Sequence, residues 1–277
     1  MTQNEKLPAD FNALDYLFCN PDLIEHFCKI DKEALISHYV GHGEPEGRIY
    51  DPKNLPKSRW DYKNVWNKAS GTFDNAKIGV AGYSDETLFE HSGQESVKYL
   101  SDQINITRNC NVLEIGCGVG RVGRELAKIC RHWTGLDACS KMIGFAKDYL
   151  KDCPNVSLLE SNGFDLKGIS NNSQDKVYCI VVFMHLDEWE RFNYIKESHR
   201  ILKEGGKLLV NNINLCSSEG WNLFEEHSGI APQDRPLNIS KTSTNTELEQ
   251  YFKRAGFSDL STTIDEESLW VTVCGTK

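Results

Sequence analysis

A glycine-rich stretch at residues 112–121, VLEIGCGVGR, constrains the fold of this chain more than any other feature of its sequence. Its apolar first half predicts a short β-strand, and its glycines predict a tight turn that opens a helix. Glycines at such a turn let a ligand approach the backbone closely, because they carry no Cβ atom. Since ligands of open α/β sheets bind at the carboxyl ends of the strands, we expect a binding site at this turn.

Strand-like and helix-like segments alternate along the chain from Asn111 onward. The runs that predict strands are NVLEIG (111–116), HWTGLDA (132–138), NVSLLESN (155–162), KVYCIVVFMHL (176–186), KLLVNNIN (207–214) and two within residues 257–277. Helical segments follow the first, second, fourth and fifth of these runs, which predicts a doubly wound α/β fold. We therefore expect a seven-stranded, mostly parallel sheet with an antiparallel terminal strand.

Local signals predict where several of these elements begin and end. Residues 176–186 are apolar throughout, as expected of a central strand that is buried on both faces. The helix at 190–203 is predicted to end at Gly205-Gly206. Residues 84–104 predict two helices, the first of them capped by Ser84.

The part of the chain before residue 101 has a different pattern. Residues 1–50 carry apolar side chains at helical spacing and predict a small helical module. Residues 51–60, with two prolines and three basic residues, predict a linker. We expect three parts: the module (1–50), a linker with helices that cover the site (51–100), and the ligand-binding domain (101–277).

The glycine turn is compatible with more than one nucleotide cofactor. Residues 118–123, GVGRVG, fit the G-x-G-x-x-G pattern of dinucleotide-binding folds. Glu114, two residues before the first glycine, would repel a pyrophosphate, whereas the sulfonium and ammonium groups of S-adenosylmethionine are cationic. Asp137 ends the next strand about 20 residues on, where a carboxylate binds ribose hydroxyls of either cofactor.

Together, ExGxGxG and an acidic end to the second strand resemble motifs I and II of the class I S-adenosylmethionine-dependent methyltransferases. The resemblance continues through residues 161–166, the run from Asp175 into VVFMHL, the HRILKEGGKLLV segment and the terminal strand pair. It covers about residues 100–277 and implies a Rossmann-like fold. A nicotinamide-dependent dehydrogenase and a non-catalytic, methyltransferase-like scaffold are the alternatives.

The resemblance also implies roles for single residues. Glu114 would orient the amino end of the cofactor, and Arg121 would reach its carboxylate or stay a solvated helix residue. Asp137 would bind the ribose, while Ala138, Cys139 and Met142 would lie beside the adenine. The remaining cofactor-binding residues are expected to be Gly116, Gly118 and Gly120 around the methionine portion and Gly163, Phe164 and Asp165 around the adenine.

Methyl transfer to a weak nucleophile needs a base that removes its proton. His185 follows the central strand at the carboxyl edge of the sheet and is the first candidate, with a structural histidine at a strand end as the alternative. Asp187 and Glu188 are better explained as the start of a helix, where acids suit the helix dipole. Further candidates around the acceptor are His91, His227, Trp66, Tyr83, Phe89, Trp221, Phe224 and Arg235.

The N-terminal module has a pattern of its own, YLxxNPDL at residues 16–23 and HYxxxGxxEGR at 38–48. It resembles a short bacterial module that accompanies enzymes of surface-polysaccharide assembly. This resemblance implies a small-molecule or glycan-type acceptor, and O-methylation of it. The alternative is a packing or docking appendage that binds a protein partner.

Charge and composition narrow the class of partner. The net charge is −9 and no cluster of five or more basic residues occurs, so we expect no nucleic-acid partner. No run approaches the about 18 apolar residues of a membrane-spanning helix, and the N-terminus shows no signal-peptide pattern. The 10 cysteines form no C-x-x-C pair, which favours reduced thiols in a cytoplasmic protein and argues against a metal site.

Overall fold

The computed structural model describes residues 7–20, 22–27, 31–51, 62–264 and 269–277. The chain divides into two compact units, residues 1–58 and 59–277. The predicted linker at 51–60 lies almost wholly outside the described residues. In the part of the chain that is described, no helix is long and apolar enough to cross a membrane.

The described part of the first unit contains three short helices, α1 (Ala13–Cys19), α2 (Asp22–Phe27) and α3 (Lys32–His38), and a π-helical turn at Tyr39–Gly43. Asn12 and Asp31 cap α1 and α3 by accepting backbone N–H bonds. Among the described residues of the unit, the hydrophobic core consists of Ala13, Tyr16, Leu17, Leu23, Leu35 and Tyr39.

The residues of the N-terminal pattern hold this unit together. The Arg48 guanidinium contacts the carboxylates of Asp22 and Glu46 at 2.7 and 2.6 Å. A Cβ atom on Gly43 would lie 2.2 Å from the hydroxyl of the buried Tyr16. The pattern is therefore explained by the packing of the unit, and its role in binding a partner stays a prediction.

The second unit opens with three helices, α4 (Tyr62–Ala69), α5 (Phe73–Ala81) and α6 (Glu86–Ile104). The prediction of two helices in residues 84–104 is wrong, since α6 is continuous and its N-cap is Asp85. Gly93 does not break α6. It allows close packing, because a Cβ atom there would lie 3.0 Å from the Arg121 carbonyl oxygen.

The sheet confirms the predicted fold class. Its strands are β1 (Asn111–Ile115), β2 (His132–Asp137), β3 (Val156–Glu160), β4 (Gln174–Cys179), β5 (Leu202–Asn214), β6 (Thr242–Ser243), β7 (Ser258–Ile264) and β8 (Trp270–Thr276). Their order is β3-β2-β1-β4-β5-β8-β7, and the two-residue β6 pairs with β5. All pairs are parallel except those of β8, which is antiparallel to β5 and β7.

In the described residues, five α-helices connect these strands: α7 (Arg121–Leu126), α8 (Ser140–Tyr149), α9 (Glu188–Ile201), α10 (Ser218–Ser228) and α11 (Asn245–Ala255). The predicted end of α9 at Gly205-Gly206 is wrong, because residues from Leu202 onward pair with β4 as strand β5. Gly205 and Gly206 instead exchange backbone hydrogen bonds with Lys277.

The central strand is shorter than its apolar run predicts. β4 ends at Cys179, and a 3₁₀ turn follows at Phe183–His185. The chain leaves the sheet at Val181, which has a φ of +60° and donates its N–H to the Asn211 side chain at 2.8 Å. A left-handed conformation is costly for a β-branched residue and recurs at functional sites.

Trp133 of β2 is fully buried, and it packs against glycines of two elements. A Cβ atom on Gly123 of α7 would lie 2.4 Å from the indole ring, and one on Gly135 would lie 2.3 Å from it. The absence of side chains at these positions lets α7 lie against the sheet.

The Gly123→Ala substitution should lower the free energy of unfolding by about 1–3 kcal/mol, because the new methyl group overpacks the Trp133 ring. Gly144→Ala is the matched control, since Gly144 is also helical but has nothing within 4 Å of its Cβ position. The control should be stabilised by about 0.5–1 kcal/mol. Denaturant unfolding measures both, and equal effects would contradict this packing.

Candidate active site

A cavity lies at the carboxyl ends of β1, β2 and β4, where the sequence predicts a ligand. Together with the open solvent at its mouth, the space measures about 940 Å³. Most predicted site residues line it: Glu114, Gly116, Gly118, Arg121, Asp137, Ala138, Met142, Gly163 and His185. Its wall also contains Trp66, Gly79, Val80, Ser161, Ile180, Val181, Val182, Leu186 and Tyr194.

The glycine turn has the backbone that its sequence predicts. Gly116, Gly118 and Gly120 have φ values of +75°, +54° and +83°, in the left-handed region that favours glycine. A Cβ atom on Gly116 would lie 2.4 Å from Val182, and one on Gly118 would lie 2.4 Å from Val80. Gly120 is outside the cavity lining and faces Leu150 instead.

The Asp137 carboxylate joins the ends of two strands. It accepts hydrogen bonds of 2.8 Å from the backbone N–H of Gly118 and of 2.8 Å from that of Cys139. Burial raises the pKa of this carboxyl, and the backbone N–H donors oppose that rise. A carboxylate has about four acceptor positions, so two backbone bonds leave it capacity for ligand hydroxyls.

Glu114 is a buried acid on the cavity wall, with 4% of its surface exposed. It accepts a 2.5 Å hydrogen bond from the Tyr178 hydroxyl, which in turn accepts a 3.2 Å bond from the indole N–H of Trp133. Burial raises the pKa of Glu114 to about 8, although the Tyr178 bond and the charge of Arg121 oppose this. The carboxyl is therefore mainly protonated at neutral pH until a cation lies beside it.

Arg121 is fixed from the neighbouring helix. Its guanidinium donates to the hydroxyls of Ser92 and Ser96 on α6, at 3.1 Å each. Arg121 thus lines the cavity from a set position at the start of α7, rather than as a solvated helix residue.

His185 lies in the same cavity as the glycine turn. Its Nδ1 atom is 2.9 Å from the backbone carbonyl oxygen of Asn238, and its ring meets the Trp66 ring edge-on at 4.9 Å between centroids. A carbonyl oxygen can accept a hydrogen bond but not donate one. In the neutral ring, therefore, Nδ1 carries the proton and Nε2 is the basic nitrogen.

The loop after β3 differs from its prediction. Asn162 accepts the backbone N–H bonds of Phe164 and Asp165 and donates to the Asp165 carboxylate, so the loop closes on itself. Phe164 and Asp165 consequently line a separate depression, and Phe164 is 51% exposed. From this loop, Ser161 and Gly163 line the main cavity.

Several other candidates also lie away from the cavity. Trp221 and Phe224 form an exposed aromatic pair on α10, and Phe89 is buried between α5 and α8. The interpretation of Asp187 and Glu188 as a helix start is confirmed, since Asp187 is the N-cap of α9. The cavity lining likewise does not include His91, Tyr83, His227 or Arg235.

The sequence analysis does not name several residues that line the cavity, among them Val80, Val181 and Tyr194. The apolar run 176–186 did indicate a buried segment, but its exit from the sheet depends on Asn211 of another strand. Over the described ranges, no group of three or more His, Cys, Asp or Glu side chains is arranged to hold a metal ion.

Residues 113–210 match a family model described as a methyltransferase domain. The chain is 26% identical over 137 residues to phosphoethanolamine N-methyltransferase of Plasmodium falciparum, covering 49% of this chain and 51% of the relative. It is 35% identical over 127 residues to sterol 24-C-methyltransferase erg-4 of Neurospora crassa, covering 45% and 33%. The chain therefore spans about half or less of these two relatives.

A solved structure supports the same fold. The DhpI–SAH complex superposes with a TM-score of 0.56 at 14% identity, covering 79% of this chain and 98% of that one. Residues 113–210 thus form a methyltransferase domain, and S-adenosylmethionine is its cofactor. The residues present fit that cofactor, because Gly116 and Gly118 of the turn line the cavity together with two acids, Asp137 for a ribose and Glu114 for a cation.

We expect cofactor binding to release a proton at neutral pH. The ligand ammonium group favours the ionised form of Glu114, whose pKa is about 8 in the unliganded protein. Since the carboxyl is protonated below pH 8 and ionised in the complex, affinity for S-adenosylhomocysteine should rise with pH from about 6 to 8.

Calorimetry in buffers of different ionisation enthalpy measures this release, which should approach about one proton per ligand at pH 7. Glu114→Gln should abolish it. Glu125→Gln is the control, since Glu125 pairs with Lys128 on α7 and lies outside the cavity lining. Equal proton release by the wild type and Glu114→Gln would show that Glu114 does not face the cation.

Proposed function

We propose that this protein is an S-adenosylmethionine-dependent methyltransferase that methylates a hydroxyl group of a small-molecule or glycan-type acceptor, with His185 as general base. The observation that supports this most directly is the shared cavity of the glycine turn, Asp137 and His185. A base that can take a proton from an acceptor thus lies in the space where the cofactor is expected.

The charged residues of the cavity suit the proposed cofactor. Glu114, Arg121 and Asp137 supply the charged groups that suit the amino acid and ribose portions of the cofactor. When bound, S-adenosylmethionine supplies an electrophilic methyl group on a sulfonium. The glycines let Val182 and Val80 pack against the turn beside this space, and Asp137 ties the ends of the two strands together.

His185 provides the second part of the reaction. Its Nδ1–H bond to the Asn238 carbonyl orients Nε2 as an acceptor, so Nε2 can take the hydroxyl proton as the acceptor oxygen attacks the methyl carbon. The C–S bond breaks in the same displacement, and the proton stays on the imidazole. The two relatives described above methylate nitrogen and carbon according to their names, so these two do not support the choice of oxygen, which rests on this base and on the resemblance of the N-terminal module.

Location and partners are parts of the same proposal. The described cysteines are free thiols, as expected in a reducing cytoplasm. A protein partner of the N-terminal module and the absence of a nucleic-acid partner also stay predictions.

S-Adenosylhomocysteine should stabilise the folded protein, by about 2.7 kcal/mol at 100 times its Kd, whereas NAD should not. Asp137→Ala should remove the effect, because it deletes the ribose acceptor and the tie between the strand ends. Thermal unfolding with each ligand measures this. Stabilisation by NAD alone would favour the dehydrogenase, and stabilisation by neither ligand would favour the scaffold.

His185→Gln should lower turnover by about 10²–10⁴-fold, because glutamine keeps much of the ring's bulk but cannot accept the proton. The measurement is labelled methyl transfer to hydroxyl-bearing small molecules and glycans. His199→Gln is the control, since His199 packs against Phe257 and lies outside the cavity lining. Unchanged turnover in His185→Gln, with normal cofactor binding, would exclude His185 as the base.

A further inference from the structure

His185 and its hydrogen-bond partner belong to segments far apart in the chain. The histidine lies on the 3₁₀ turn Phe183–His185, and the Asn238 carbonyl lies 53 residues further on. Local bonds of the turn, such as His185 N–H to the Val182 carbonyl at 2.9 Å, fix its backbone but not its distance to Asn238. The position of the imidazole therefore depends on what ties these two segments together.

Arg191 makes that tie. Its Nε donates to the Phe183 carbonyl at 2.9 Å, at the start of the turn. Its Nη1 donates to the Ser243 hydroxyl at 2.7 Å and to the Thr242 carbonyl at 3.2 Å, and its Nη2 donates to the Lys241 carbonyl at 3.4 Å. One guanidinium thus binds both the turn that carries His185 and the residues that follow Asn238.

Arg191 is a buried charge, with 3% of its surface exposed. Burial lowers the pKa of the guanidinium, and the nearby Glu247 carboxylate, 3.5 Å away, opposes this. A buried cation is costly unless hydrogen bonds and charges compensate it. Donors that point in several fixed directions are a property of arginine that lysine does not share.

Other contacts also hold these two segments together. The Lys241 N–H donates to the Met184 carbonyl at 2.7 Å, and its side chain pairs with Asp187. Ser243 also accepts a 2.8 Å bond from Asn212 of β5, which connects the segment to the sheet. Arg191 is the member that contacts both sides with one rigid group.

We infer that Arg191 is a positioning residue for methyl transfer, which holds the His185 imidazole on the Asn238 carbonyl and so keeps Nε2 the basic nitrogen. This inference rests on the proposed role of His185. Arg191 touches neither cofactor nor acceptor, since it lies outside the cavity lining. Its effect passes through the backbone of the turn and of residues 241–243.

The tautomer of His185 is the direct readout of this role. In the wild type, ¹⁵N spectra of histidine-labelled protein should show a protonated Nδ1 and an unprotonated Nε2, with the signals assigned by their absence in His185→Gln. In Arg191→Met the two segments separate, and a mixture of tautomers should appear. Turnover should fall on the order of 100-fold, the cost of small misplacement, while affinity for S-adenosylhomocysteine is kept.

Arg191→Lys should restore part of the tautomer signal and of turnover, because it keeps the charge and some of the donors. Arg200→Met is the matched control. Arg200 is on the same helix and also donates to backbone carbonyls, but to those of Leu166 and Ile169, away from the His185 turn. It should leave the His185 tautomer unchanged.

A folded Arg191→Met protein that retains the single Nδ1–H tautomer and normal turnover would overturn the inference. If Arg191→Met does not fold, Ser243→Ala replaces it, since this removes the shortest guanidinium bond. An unchanged tautomer in both Ser243→Ala and Arg191→Lys would then overturn it. Failure of the proposed function is separate, because it would appear as unchanged turnover in His185→Gln.

Discussion

The site depends on one carboxylate, that of Asp137, which closes the ends of β1 and β2 onto each other. By accepting from Gly118 and Cys139, it neutralises backbone donors from the turn after each strand. Unpaired N–H groups there would each cost about 1–3 kcal/mol if buried. The same bonds fix the φ-positive glycine turn, so the opening of the cavity and the stability of the sheet edge rest on one group.

Behind this edge, the sheet carries a polar chain through its apolar interior. Trp133 donates to Tyr178, and Tyr178 donates to Glu114, so an acid at the cavity wall has its partners inside the core. Burial raises the pKa of Glu114 to about 8, and the Tyr178 hydrogen bond at the end of this series opposes that rise. This series of hydrogen bonds also depends on packing, because the Trp133 indole ring that donates the first bond lies against Gly123 and Gly135.

The sequence is sufficient to predict that most of the proposed cofactor-binding residues share one cavity, because that part of the cavity is local. Glu114, Gly116 and Gly118 lie within five residues, and Asp137 follows on the neighbouring parallel strand, so a strand-turn-helix pattern places them together. Phe164 and His185 show the limit of such reasoning. The first leaves the cavity because Asn162 closes its loop, and the second is oriented by a carbonyl that lies on a distant segment.

The element boundaries were missed for a related reason. The apolar character of residues 176–186 predicts that β4 continues to residue 186. In the structure the chain leaves the sheet at Val181, whose N–H donates to the side chain of Asn211 from β5. Helix α9 ends at Ile201 because Leu202 pairs with Gln174 of β4, a contact that helix propensity does not predict. In both places a contact with the neighbouring strand determines the backbone conformation, and the periodicity of a single segment does not predict such a contact.

Some residues of the site lie outside the segment that the relatives share, which determines what the similarity implies about the acceptor. The family model matches residues 113–210, which include the glycine turn, Asp137 and His185. Trp66, Val80 and Asn238 lie outside that range, although the first two line the cavity and the third orients the histidine. Segments that the shared domain does not include therefore contribute to the cavity wall and to the orientation of the histidine. Relatives named for phosphoethanolamine or a sterol can consequently match the domain while differing in these segments, so their acceptors do not identify the one used here.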